Sequence, residues 1–234
     1  MGPLVERMTG RPDVAIVGAG VVGAACAYAL AREGLSVDVF DTGFSGGGST
    51  AAGMGHIVVM DDSDPQLALT SWSRTLLDEC IDELPESCEY TRCGTLWLAR
   101  DETELEAARV KRDRYLALGI RAELLDADQL ADAEPELARA FTGALRVPDD
   151  GVLYPPALAW WLLGRAMSHG ARVAEHSAVD SVGKGSLISR GLRMDVGLVV
   201  NAAGAAAPAL TPGLPIMPRK GHLAITDRYP ELCR

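Results

Sequence analysis

The chain has 234 residues, enough for one large domain or two small ones. Its 22 Lys and Arg stand against 32 Asp and Glu, a formal charge of −10, which argues against nucleic acid or an anionic membrane as partner. The cysteines, Cys26, Cys80, Cys88, Cys93 and Cys233, are odd in number and show no CxxC or Cys/His ligand spacing, so they read as reduced thiols of a cytoplasmic protein with no metal site.

No basic region followed by an apolar stretch and a cleavage site opens the chain, and Glu6 spoils a myristoylation motif at Gly2. Pro12 to Val17 reads as a short buried strand and Val21 to Arg32 as the helix that follows. Between them lies Gly18-Ala-Gly20-Val21-Val22-Gly23. Gly18 suits a tight strand-to-helix turn, Gly20 the approach of a pyrophosphate, and Gly23 close packing of helix on strand. The helix N-terminus adds unpaired N–H groups and its positive dipole end. Ser36 to Phe40 reads as a second strand, ended by Asp41, a carboxylate placed to accept from an adenosine ribose. Small Ala27 and Gly34 fit the same pattern. The acid argues against a 2′-phosphate and so against NADP, with NAD and FAD both open at this point. Ala15 to Ala31 is apolar enough to imitate a membrane span, but the glycine spacing, Asp13 and Glu33 make it a core strand and helix, so no transmembrane segment is expected.

Thr42 to Gly48 is a glycine-rich loop. Ser49-Thr50 then predicts the cap of another helix start running through His56. Pro65 to Leu84 is predicted helical, with Leu69, Trp72, Leu76, Cys80 and Leu84 on one stripe. Thr91 to Ala99 alternates as a strand. Asp101 and Glu104 form a capping box for a helix ending at Gly119. Arg121 to Leu125 is a short strand, Asp126 caps a short helix, and Phe141 to Val147 is a strand. After the turn at 148–151, Pro155-Pro156 opens a helix through His169, closed by Gly170. Strands follow at 172–174, 178–182 and 196–200, the last apolar as in a buried parallel strand, and Arg219 to Thr226 forms a final one. A second glycine-rich start after Asp41, where a simple NAD domain would continue with βαβ units, suits a longer cofactor.

These segments together resemble the D-amino-acid oxidase-type FAD-dependent oxidoreductases, the superfamily of glycine and sarcosine oxidases and D-amino-acid or D-hydroxyproline dehydrogenases. The resemblance runs through 14–23, 39–41, Gly47-Gly-Ser-Thr-Ala-Ala-Gly-Met-Gly55, Cys93 to Leu98, Asp150-Gly151, Val199 to Gly204 and Pro218 to Gly221. It departs at 205–207, three alanines where the family usually has an aromatic residue. It implies an α/β fold: a Rossmann-like FAD-binding domain (1–90 and 149–212) with an inserted α+β substrate domain (91–148 and 213–234) that is incomplete at the C-terminus. Family members continue further, so the chain resembles about the first two thirds of such an enzyme, as a truncation or a subunit completed by another chain.

The resemblance further implies hydride transfer from the Cα of a small amino acid to flavin N5, giving an imino acid that water hydrolyses. It places Gly18, Gly20, Val21, Val22 and Gly23 at the FAD pyrophosphate and Asp41 at the ribose, with Thr42 also among the cofactor-binding residues. Ser49, Thr50, Ala52, Gly53, Met54 and Gly55 fall along the pyrophosphate and flavin ring, Val179 against the adenine, and Ala203 and Gly204 beside the cofactor. No catalytic residue is assigned, because the substrate-binding arginine belongs to the part beyond the match. His56 could face the flavin or be an ordinary loop histidine; the latter weighs more. Arg219, Lys220 and His222 read as strand charges, Trp160 and Trp161 as packing, and the acids of 61–64 as a solvated turn. The alternatives are an NAD-dependent dehydrogenase, or a non-catalytic fragment or subunit needing a partner; a homo-oligomer is also compatible.

Overall fold

The computed structural model describes residues 10–223. In chain order these form β1 (Val14–Val17), α1 (Val21–Arg32), β2 (Val37–Phe40), β3 (His56–Ile57), α2 (Asp64–Asp78), β4 (Thr95–Ala99), α3 (Glu102–Ala117), β5 (Glu123–Asp126), α4 (Ala127–Ala133), β6 (Gly143–Val147) and β7 (Gly151–Val152). There follow α5 (Pro155–Ser168), β8 (Arg172–Ala174), β9 (Val179–Gly183), β10 (Ser186–Ser189), β11 (Leu192–Asp195), β12 (Leu198–Asn201) and the one-turn α6 (Ala207–Leu210). The described residues divide into two compact units.

The first unit comprises 10–55, Leu84–Cys88 and Tyr154–Leu223. Its centre is a parallel sheet in the order β12-β1-β2-β8. Val-Ala-Ile-Val in β1 and Val-Asp-Val-Phe in β2 are buried throughout, as strands covered on both faces require. The one acid among them, Asp38, is 1% exposed and answered in register by Arg172, which donates to both carboxylate oxygens at 2.7 Å. One face is covered by α1 and α5, packed along each other; small Ala24, Ala27 and Ala31 of α1 and Ala159 and Ala166 of α5 let the helices close. The other face meets the antiparallel meander β11-β10-β9, where Ala15, Phe40, Ala174, Leu187 and Val196 form a core. β12 was expected to be wholly buried; as an edge strand it leaves Leu198 60% exposed.

The second unit comprises His56–Glu83 and Glu89–Leu153. Its sheet, β4-β6-β5, is antiparallel and covered by α3. Val59, Leu67, Ala108, Tyr115, Ile120, Ala122, Leu145 and Val147 form its core. Asp101 caps α3 by accepting from the Glu104 N–H at 2.9 Å; Glu104 reaches back to the Arg100 N–H rather than to that of Asp101, so the expected box is only half formed. Asp126 and Gln129 make a complete capping box on α4. The contact division places 56–83 in this unit, unlike the boundaries expected from the sequence, because β3 pairs antiparallel with β7 and Leu67 of α2 enters this core.

Three expected elements differ. Residues 49–53 form turns, not a helix, and a left-handed Gly55 (φ 77°) leads into β3. α2 stops at Asp78, followed by short 3-10 turns. Of its apolar stripe, Leu69, Trp72 and Leu76 are 61%, 64% and 43% exposed among the described residues. The inward face instead carries Leu67, Thr70, whose hydroxyl accepts the Met60 N–H, and Arg74, paired with Asp150. Residues 219–223 carry no strand; the rest of the expected final strand lies outside the described residues.

Candidate cofactor-binding site

The site in the first unit starts from β1. Its end is fixed by the Gly18 N–H donating to the Phe40 carbonyl at 2.8 Å and the Ala202 N–H donating to the Val17 carbonyl at 2.8 Å. The chain must turn here beside the backbone of Ala202. Gly18 has φ 108°, and a Cβ on it would overlap the Ala202 carbonyl oxygen, so glycine is required twice over. Gly23 lies in the first turn of α1, where a Cβ would overlap the Gly18 carbonyl oxygen. The glycine spacing therefore records a helix pressed onto its own entry loop.

Gly20 is the N-cap of α1 and supplies no side-chain cap. The first N–H groups of any helix lack intrahelical acceptors. That of Val21 donates to Thr50 Oγ1 at 3.0 Å, and those of Val22 and Gly23 have no acceptor within the helix. A Cβ on Gly20 would stand 2.9 Å from Thr50 Oγ1, so the bare glycine lets the Thr50 hydroxyl come close to the helix end. Backbone donors, the positive helix end and a threonine hydroxyl converge here in a cradle whose chemistry suits an anion.

Asp41 ends β2 and is half-buried. One carboxylate oxygen accepts the Ala19 N–H at 2.7 Å and the other the Gly43 N–H at 2.8 Å. Asp41 thus ties the glycine loop to the loop after β2. Two bonds leave a carboxylate with acceptor capacity for ligand hydroxyls. The second loop is held further: the Gly46 N–H donates to the Ala19 carbonyl at 2.8 Å, and the Ser45 N–H to Glu175 at 2.7 Å. The Ser45 hydrogen bond holds the Glu175 carboxyl below its ordinary pKa.

Of the residues singled out in the sequence, the structure brings Gly18, Gly20, Val21, Val22, Gly23, Asp41 and Thr50 together around the α1 N-terminus. Thr42, Ser49, Ala52, Gly53 and Met54 are exposed on the continuing loop, with Gly55 half-buried. Ala203 and Gly204 follow β12, whose Asn201 Oδ1 accepts the Ala203 N–H at 3.3 Å. Val179 opens β9 and packs against the meander core. His56 lies on β3, exposed and paired with Val152 in the second unit. Sequence reading gave no role to Ala19 and Ala202, whose contribution is made by backbone atoms: Ala19 bonds to Asp41 and Gly46, and Ala202 bonds to Val17 and crowds Gly18.

This loop, its cradle and its acid, on a parallel sheet backed by a meander, define a dinucleotide-binding oxidoreductase fold. The chain belongs to the DAO family of FAD dependent oxidoreductases, whose family model matches residues 13–234. It is 32% identical over 183 residues to glycine oxidase from Geobacillus kaustophilus, a match covering 75% of this chain and 48% of that protein. The crystal structure of glycine oxidase from the same organism superposes with a TM-score of 0.78 at 31% identity, covering 86% of this chain and 58% of the other. Hydrogen cyanide synthase subunit HcnC from Pseudomonas aeruginosa is 29% identical over 274 residues (94% of this chain, 65% of that protein). D-amino acid dehydrogenase from Xanthobacter autotrophicus is 28% identical over 283 residues (92% and 67%). The chain thus spans about half to two thirds of the length of these relatives. FAD is the cofactor of this family, which sets the nicotinamide alternative aside. Among the described residues no helix is long and apolar enough to cross a membrane.

Proposed function

We propose that this oxidoreductase oxidises the C–N bond of a small amino acid, of the glycine, sarcosine or D-amino-acid type, with FAD held at the α1 N-terminus. The observation that carries this reading is the cradle between Gly20 and Thr50 at the helix end, joined by Asp41 to the same loop. The N–H groups of Val22 and Gly23, with the Thr50 hydroxyl, would hold the pyrophosphate. Asp41 and Thr42 would receive the ribose hydroxyls, Val179 the adenine, and Ser49 to Gly55 the pyrophosphate and ring, with Ala203 and Gly204 closing the far side. Bound FAD supplies the hydride acceptor; the protein positions the substrate carbon against it and excludes competing reactions. The names of the glycine oxidase and D-amino acid dehydrogenase relatives support an amino-acid substrate.

The test is turnover of glycine, sarcosine, D-alanine and D-proline with a dye acceptor, after loading with FAD. Oxidation of one of them, with the matching oxo acid as product, supports the reading; oxidation of a substrate without a C–N bond and of none of these overturns it. A second reading is a subunit that completes its active site with another polypeptide. The relative named as a hydrogen cyanide synthase subunit favours it. In that case the chain binds FAD but turns over only when the partner is added.

A further inference from the structure

A second concave site in the first unit lies outside the glycine-loop cradle. It is a cavity of about 590 Å³, within the range of small-molecule pockets. Its floor is apolar: Leu163 and Met167 of α5, Val173 of β8 and the indole of Trp160. Trp160 is 54% exposed, yet its ring is fixed, because Nε1 donates to the Ser45 carbonyl at 2.7 Å. The rim carries two opposite charges, Glu175 and Arg190. Arg190 Nη1 donates to the carbonyl of His176, the residue after Glu175, at 3.3 Å. No ion pair joins the two among the described residues. Glu175 accepts from the Ser45 hydroxyl and N–H and lies beside His176, and Arg190 gives one N–H to the His176 carbonyl; a carboxylate and a guanidinium each keep further hydrogen-bonding capacity.

Arg190 and Gly191 (φ 53° and 75°) form the two-residue turn joining β10 to β11, and Glu175 and His176 follow β8; both segments line this cavity.

We propose that this cavity binds a dipolar α-amino acid with an apolar side chain, its ammonium at Glu175, its carboxylate at Arg190 and its side chain on the Trp160–Met167 floor. An acid and a base that line one cavity without pairing to each other are complementary to a zwitterion and mismatched to any ligand carrying one charge alone. The site is separate from the flavin cradle and stands whether or not the proposed reaction does. Its occupant is a second amino acid bound without being turned over.

The test is calorimetric titration of the full chain without FAD, backed by Trp160 fluorescence, using phenylalanine and its two truncated analogues, phenethylamine and 3-phenylpropionate. The expected result is saturable binding of phenylalanine with Kd of about 1 mM or tighter. Each analogue is expected to bind at least about tenfold more weakly, since each leaves one rim charge without its partner. Glu175→Gln and Arg190→Gln should each weaken phenylalanine to a similar degree, and the analogue comparison, made on the unaltered protein, is independent of their folding. An analogue binding as tightly as phenylalanine, binding unaffected by both substitutions in folded protein, or no binding of any of the three would overturn the proposal.

Discussion

Gly23 sits so close to Gly18 that a Cβ at 23 would overlap the Gly18 carbonyl oxygen. The obstacle is backbone held on both sides by sheet hydrogen bonds, so it cannot move aside. Gly23→Ala is expected to cost about 3 kcal/mol in urea unfolding. Gly164, inside α5 with open space where its Cβ would go, makes the contrast. Gly164→Ala should stabilise by about 0.5–1 kcal/mol, because only helix propensity changes there.

Thr50 provides the side-chain acceptor at the N-terminus of α1, which Gly20 cannot cap itself. Thr50→Val keeps the shape and removes the hydroxyl. It should cost about 1 kcal/mol of stability in denaturant unfolding, as loss of an N-terminal cap does. Thr50→Ser should restore most of that. Equal losses in Val and Ser would show that the methyl group, not the hydroxyl, matters.

Asp150 is fully buried, accepts from Arg74 Nη1 at 3.2 Å through Oδ1, and leaves Oδ2 without a partner. Burial pushes its pKa above the ordinary carboxylate value, against the lowering effect of Thr95, Val59 and Arg74. The folded state therefore holds the Asp150 proton more tightly than the unfolded chain. Its contribution to stability is complete below the unfolded pKa and is lost as pH rises through the folded one. At neutral pH Arg74 offsets the buried charge. Arg74→Met should cost about 3–5 kcal/mol at neutral pH, more than Asp150→Asn. That deficit should shrink as pH falls through the folded Asp150 pKa. Chemical unfolding across acid pH checks both, and a pH-independent deficit would contradict the assignment.

Tyr115 is wholly buried and donates to the Val59 carbonyl at 3.1 Å. Burial first, then the carboxylates of Asp61 and Asp150, raise its pKa far above that of a free phenol. Its contribution to stability is intact below pH of about 10, where the unfolded phenol ionises, and is lost as pH climbs toward the folded value. Tyr115→Phe should cost about 1–2 kcal/mol at neutral pH, through the orphaned carbonyl, and show a shallower alkaline loss of stability.

The β1–α1–β2 start was legible because its signals are local: three glycines at fixed spacing, two apolar strands and a terminal acid. The α2 helix was legible as a helix but not in its facing. Its inward side carries Thr70 and Arg74, whose partners, Met60 and Asp150, are set by tertiary structure, while Leu69, Trp72 and Leu76 look outward. The β10–β11 hairpin went unread because Ser186–Ser189 and Leu192–Asp195 are short and partly polar, and β12 read as central because its edge position depends on which strands flank it. In the candidate site the glycines and Asp41 were visible, whereas Asp41's bond to the Ala19 N–H follows only from the folded loop.

The central claim is that Asp41 and the glycine loop hold the ADP half of FAD. Titrating the apoprotein with FAD, followed by quenching of flavin fluorescence, tests it directly in the unaltered chain and in Asp41→Ala. Saturable one-to-one binding, weakened at least about tenfold in the variant, is the expected result. Folded protein that leaves FAD free in solution, or a variant that binds it as tightly as the original, would contradict the claim.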